Sequence, residues 1–152
     1  MFNFQFNLAA MRKIIYTLFI GVFAIAFTAC KGGESVSTDP ASLQGDWVIT
    51  AMNGQEVPSD EYTVSFNLDG TVAGIAVCNR YAGSYEAQPE GVLSLSALGA
   101  TKMQCESDTQ SFLSAIQGVE SFKVVGGDQL ELTSADGTLV FSKVVTPGQE
   151  EG

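Results

Sequence analysis

Beyond Gly45, apolar and polar positions alternate with period two along most of the chain, the spacing of strands that bury one face. Tyr62, Val64, Phe66 and Leu68 interleave with Thr63, Ser65 and Asn67, and Asp69-Gly70 then leads into a second alternating run over 71–77. An Asp-Gly pair between two such runs is a strong hairpin signal. Further strands are expected over 47–52, 81–86, 92–95, 122–125, 129–133 and 138–144, the last three joined by Gly126-Gly127-Asp128 and Ala135-Asp136-Gly137. Both connectors suit tight turns, and sequential hairpins build an antiparallel meander. One stretch departs from this period. Phe112, Leu113, Ile116 and Val119 recur at helical spacing, Ser107 and Gln110 stand a capping box apart, and Gly118 is placed to end the helix as a C′ residue. The expected helix spans 108–117, with Glu106 and Asp108 at its N-terminus, where negative charge offsets the macrodipole. The expected fold class is mostly β with one α-helix. It has about eight antiparallel strands in a curved sheet or small barrel-like meander, with the helix packed against it and covering strand edges.

The first 29 residues carry a different pattern. Arg12 and Lys13 precede a run over 14–27 in which every residue except Thr17 and Gly21 is apolar or aromatic. At about 14 residues the run is short of the roughly 20 that a spanning helix needs, and it matches the h-region of an export signal. The expected signal peptide is 1–29, with Met11 as an alternative start. Its end, Phe27-Thr28-Ala29-Cys30, resembles a bacterial lipobox, in which the Cys becomes the lipidated N-terminus. An ordinary signal peptide that happens to end beside a Cys is the alternative. Small, polar and breaker residues follow, so 30–42 reads as a lipidated Cys and flexible tether, 43–145 as the domain and 146–152 as a disordered tail. The acyl chains of a bacterial lipoprotein would hold such a protein stably on a membrane. Lys31 is not the Asp that favours inner-membrane retention, so the outer membrane of a Gram-negative host is the expected location.

Composition then removes whole classes of function. The 152 residues include 17 Asp+Glu against 7 Lys+Arg, a net charge of -10, and no His. An acidic surface repels phosphate backbones, so no nucleic-acid partner is expected. Without His there is no Ser-His-Asp or Cys-His constellation and no His-ligated metal. Asp60-Glu61 and Glu106 with Asp108 lack the spacing of a calcium loop and read as solvated charge, so neither metal nor cofactor is expected. With Cys30 assigned to lipid, Cys78 and Cys105 remain, and in an oxidising envelope an even pair reads as a disulfide. Reduced thiols and a redox pair are the alternatives, the second far from Cys-x-x-Cys spacing.

Four segments in order resemble one family. Leu43-Gln44-Gly45-Asp46-Trp47 is similar to an opening Leu-x-Gly-x-Trp, and the run from Phe66 to Gly74 to a strand, turn and Gly. Cys78-Asn79-Arg80-Tyr81-Ala82-Gly83-Ser84-Tyr85 is similar to Cys-Asn-x-x-x-Gly-x-Tyr, and Thr101-Lys102-Met103-Gln104-Cys105 to Thr-x-Met-x-Cys with Gln104 where Ala is more usual. Together they resemble the META domain family, of HslJ type. The resemblance implies a mostly antiparallel β fold with one helix, often in exported or lipid-anchored proteins, and no enzyme activity. Some members are linked to stress or drug tolerance, and relatives of similar shape act as pilot lipoproteins.

Trp47, Asn79, Arg80, Tyr81, Tyr85, Thr101 and Met103 are the motif positions that stand as candidate binding residues. Asn79 also suits a turn that tolerates positive φ, and Arg80 either a carboxylate ligand or an ion pair. Trp47, Phe66, Tyr81 and Tyr85 suit a packed core or, in an incompletely filled sheet, an apolar pocket for an acyl chain or peptide. The expected function is a non-enzymatic, lipid-anchored envelope protein with a binding or stress-tolerance role, monomeric, with an unknown envelope protein or apolar ligand as partner. A pilot or carrier holding an acyl chain or peptide inside the barrel is the alternative.

Overall fold

The alternating positions become the inner face of a single curled sheet. The computed structural model describes residues 33–106 and 109–145. The expected signal peptide, Cys30, the tail 146–152 and the capping positions Ser107 and Asp108 lie outside them. Among the described residues the elements are β1 (Val36–Ser37), α1 (Pro40–Leu43), β2 (Gly45–Met52), β3 (Gln55–Glu56), β4 (Tyr62–Phe66), β5 (Thr71–Ala76), β6 (Asn79–Ala87), β7 (Leu93–Ala100), α2 (Thr109–Gln117), β8 (Val119–Val125), β9 (Gln129–Ser134) and β10 (Gly137–Lys143). The sheet is antiparallel in the order β1-β8-β9-β10-β2-β4-β5-β6-β7, with β3 paired to β2. Two meanders, β2 to β7 and β8 to β10, are thus zipped along β10 and β2, with α2 connecting them. The expected class, mostly β with one principal helix in a curved, barrel-like sheet, is the observed one. The two arms of the sheet approach at a bridge between Val92, just before β7, and Ser121 of β8, beside which the Phe122 N–H donates to the Gly91 carbonyl at 2.8 Å.

Inward positions fill this half-barrel. Trp47, Ile49, Val64, Val72, Leu130, Leu132 and Phe141 are fully buried, and α2 lays Phe112 and Ile116 onto the concave side among them. The Phe112 ring sits 4.6 Å from that of Tyr62 and 6.0 Å from that of Tyr81. Of the aromatic set expected either to pack or to line an open pocket, Trp47, Phe66 and Tyr81 are packed in the core and Tyr85 is half-buried against it.

Several boundaries differ from the expected ones, each for a local reason. Part of the expected tether, 30–42, belongs to the fold. Val36 and Ser37 pair with Val125 and Val124, Asp39 caps α1 by accepting the Ala41 N–H at 2.9 Å, and Leu43 is fully buried. Asp39-Pro40 is the usual opening of a helix, a cap followed by Pro at the first helical position. Leu68 stands at the tip of a turn rather than in a strand. The Asn67 N–H bonds to Thr71 O and the Gly70 N–H to Asn67 O, leaving a three-residue loop with Gly70 at φ 79°. Asp69 accepts both the N–H and the hydroxyl of Thr71, which holds its carboxyl below the usual range. Gly118 does not adopt the left-handed C′ conformation: its N–H bonds to Ser114 O at 3.0 Å and the chain runs straight into β8. A hairpin between β2 and β3 was not expected, although Asn53-Gly54, at φ 52° and 79°, is a strong two-residue hairpin signal.

β7 extends past its expected end at Leu95 because a bulge absorbs its change of direction. Ala82 pairs with Gly99 and Ser84 with Ser96, so Gly83 faces both Ala97, at φ 53°, and Leu98. A Cβ on Gly83 would meet Ser96 O at 2.7 Å. The bulge therefore requires glycine on the strand opposite.

The packing makes a direct prediction. Phe112→Ala lowers the unfolding free energy by about 3–5 kcal/mol, read from the urea midpoint, because a cavity opens between α2 and the sheet. Leu68→Ala at the exposed tip changes it by no more than about 0.5 kcal/mol.

Candidate functional site

Cys78, Asn79, Thr101, Met103 and Cys105 converge at one end of the β5–β6 hairpin. Ala76 and Asn79 are the last pair of that ladder, so Val77 and Cys78 form a two-residue turn. Val77 stands at φ 58°, a strained conformation for a β-branched residue, and its N–H bonds to Glu61 O at 2.6 Å. The turn places Cys78 against Cys105. The two form a disulfide with Cα atoms 5.7 Å apart, as expected from the cysteine arithmetic.

Asn79 sits beside this bond and is 3% exposed. Its Oδ1 accepts the Met103 N–H at 2.7 Å and the Thr101 hydroxyl at 2.9 Å. Its Nδ2 donates to Met103 O at 3.0 Å and to Cys105 Sγ at 3.0 Å. An amide side chain has two acceptor sites and two donor hydrogens, and all four are used here. The side chain pairs with both polar groups of Met103 as a neighbouring strand would. Thr101 continues the same pattern, its hydroxyl accepting the Arg80 N–H at 3.1 Å while its own N–H donates to Arg80 O at 3.0 Å. The segment after β7 is thus clasped to the start of β6 by side chains where the regular ladder ends.

Each candidate has a definite place. Asn79, which suits a turn that tolerates positive φ, does not adopt one; Val77, two residues earlier, carries that conformation. The Met103 side chain is largely exposed, and it is the Met103 backbone that the clasp uses. Arg80 is exposed, joins the clasp through its backbone alone and makes no ion pair among the described residues. Tyr81 is buried, its ring crossing Gly74 so that its hydroxyl donates to Thr63 O at 2.6 Å. A Cβ on Gly74 would strike that ring, so the position of Tyr81 requires glycine at 74. Burial pushes the Tyr81 phenol far above its ordinary pKa. Tyr85 lies away from the clasp, its hydroxyl donating to Asn67 O at 2.8 Å and its ring edge-on to Phe66. Its pKa is raised by burial first and by the charge of Asp69 second. Trp47 is buried, donates Nε1–H to Leu43 O at 2.8 Å and carries the Lys143 ammonium over its ring at 5.2 Å.

Two surface hollows accompany these residues. One of about 590 Å³ borders the clasp, between Thr101, Lys102, Met103, Gln104 and the first residues of α2. The buried Thr109 hydroxyl on its wall has no hydrogen-bond partner among the described residues. The other, about 520 Å³, lies at the opposite end of the sheet between Asp46, Leu68, Lys143, Val144 and Val145. Among the described residues no group of three His, Cys, Asp or Glu is placed to hold a metal.

The clasp and the disulfide secure the same segment, so their losses are coupled. Reduction is expected to cost about 3 kcal/mol for a loop of this length, and Asn79→Ala about 2 kcal/mol for the buried groups it orphans. Urea midpoints with and without reductant then give a combined loss smaller than the sum, because each change already frees what the other holds. In alkali the sign is set by the raised tyrosines. Their neutral forms favour the fold fully below the unfolded pKa of about 10, and that stability is lost as pH rises further. Tyrosinate absorbance of Tyr81, isolated by comparison with Tyr81→Phe, therefore appears together with loss of the fold.

Comparison with known proteins agrees with this geometry. The family model of the META domain matches residues 41–146. A protein solved by NMR is similar at 26% identity and TM-score 0.57, over 69% of this chain and 94% of its own. Another NMR structure, of a protein from Burkholderia xenovorans, is similar at 26% identity and TM-score 0.56, over 72% of this chain and 91% of its own. No curated protein matches. With the family model covering β2 to β10, α2 and every residue of the clasp, the chain belongs to the META domain family.

Proposed function

We propose that the protein is a non-enzymatic, lipid-anchored component of the cell envelope that acts by binding at its surface and supports envelope integrity under stress. The observation that carries the non-enzymatic part is the fate of its motif residues. Cys78 and Cys105 are joined, the Asn79 amide is saturated, and the Tyr81 hydroxyl is bonded to Thr63. Groups so engaged are poor acids, bases and nucleophiles, which need a free lone pair or a movable proton. The lipobox-like segment ending at Cys30 supports the anchor, and Lys31 supports an outer-membrane address.

The carrier alternative needs space inside the sheet. Phe112 and Ile116 fill that side, so within this proposal a partner is met on the outside of the domain. Its low content of positive charge suits an envelope protein or apolar group and not a polyanion.

Intact mass spectrometry of the protein extracted from membranes without reductant tests the reading. The expected mass is residues 30–152 plus acyl groups and less two hydrogens. A strain carrying Cys30→Ala should release the domain from the membrane fraction and lose the detergent and heat tolerance that the wild-type copy restores to a deletion strain. An unacylated wild-type mass, or full tolerance in the deletion strain, would overturn it.

A further inference from the structure

The described residues include seven exposed large apolar side chains, and four of them gather at one end of the sheet: Leu68 at 85% exposure, Val145 at 81%, Val36 at 61% and Val144 at 43%. They lie along one edge. The β8 end at Val125, where Val36 pairs, the β9 start at Gln129, the β10 end at Lys143, the β2 start at Gly45 and the β4 end at Phe66 follow one another in the strand order. These contiguous strand ends, with the Leu68 turn beyond Phe66, span about 25 Å of arc at ordinary strand spacing. Leu68, Val144 and Val145 share one hollow of about 520 Å³. Ile75, Val92 and Met103, the other three, lie elsewhere.

The chain also joins the sheet at this end. Ser35 O accepts the Gly126 N–H at 2.9 Å, and β1 runs from there toward the middle of the sheet. Five residue steps lead from Cys30 to Ser35, a reach of at most about 18 Å when fully extended. We propose that this end of the sheet is the membrane-facing surface of the domain, with Leu68 and Val145 entering the headgroup layer of the bilayer that carries the lipid at Cys30. The inference rests on the anchor reading above. Asp46, Asp69 and Asp128 stand at the same end, with Lys143 held against Trp47. Net negative charge here suits the ammonium groups of zwitterionic headgroups and opposes anionic lipid, so apolar contact and not counterion attraction carries the docking.

The test uses the acylated protein in vesicles of phosphatidylethanolamine and phosphatidylcholine with brominated acyl chains. Leu68→Trp and Val145→Trp each replace an exposed residue, and Ile75→Trp serves as the control, all read against the buried Trp47. The expected result is a blue-shifted Trp at 68 and at 145 that loses about half or more of its emission to the bromolipid, with Trp at 75 unquenched. Docking by apolar contact also leaves the quenching unchanged in high salt. Unquenched emission at 68 and 145 from protein whose mass shows the acyl groups would overturn the proposal and leave the anchor standing. A blue shift without quenching that grows with protein concentration would assign the patch to a second copy of the chain and overturn it as well. Protein lacking acyl groups would overturn the anchor and this proposal together.

Discussion

The clasp of Asn79 on the Met103 peptide is the interaction from which the rest of the architecture follows. The β6–β7 ladder ends at Tyr81 and Ala100, and from there the chain must leave the sheet, turn, and enter α2. Backbone pairing cannot hold a segment that is departing from its neighbour. A buried amide that offers one donor and one acceptor to Met103 replaces that pairing for one residue, and the disulfide fixes the chain just beyond it. With 101–105 secured, α2 begins in a defined place and brings Phe112 onto Tyr62 and Tyr81. The concave side fills, β8 follows directly, and the second meander closes against β2.

This order of dependence explains why the motif residues look chemical yet do no chemistry in the proposed function. Cys, Asn, Thr and Tyr at short spacing resemble the contents of an active site. Here they are consumed by one another: a polar group buried without its partner costs more than the pair contributes when formed, so a fully satisfied set specifies a single geometry. The strain at Val77 belongs to the same arrangement. A two-residue turn with a β-branched residue at positive φ survives only where its neighbours, Glu61 O and the Cys78 bond, determine it.

Sequence pattern carried the sheet and the helix because both are local periodicities. It carried the pairing of Cys78 with Cys105 through arithmetic, and the recurrence of motif segments through resemblance. The Asp39-Pro40 cap and the Asn53-Gly54 hairpin were equally legible in local chemistry, and weighing the polar composition of 30–42 above its capping signal hid the first. Other features could not be read locally. Asn79 has its partners 22 to 26 residues away, so its own neighbourhood suggested only a turn. Leu68 keeps the period of the strand before it, and only the Asn67–Thr71 closure shows that the alternation continues into solvent. Val77 defies its propensity because tertiary contacts outweigh it. The gathering of Val36, Leu68, Val144 and Val145 needs the register of six strands to be seen at all.

Native-state hydrogen exchange tests the clasp most directly, because Met103 lies beyond the end of β7 and its amide has the Asn79 side chain as its acceptor. In the oxidised protein the account predicts that the Met103 amide is protected nearly as strongly as amides within the β6–β7 ladder. Asn79→Ala should abolish that protection while leaving the β6–β7 ladder amide of Glu86 slow relative to the new global stability. A Met103 amide that exchanges as fast as an open loop in the wild-type protein would contradict the account.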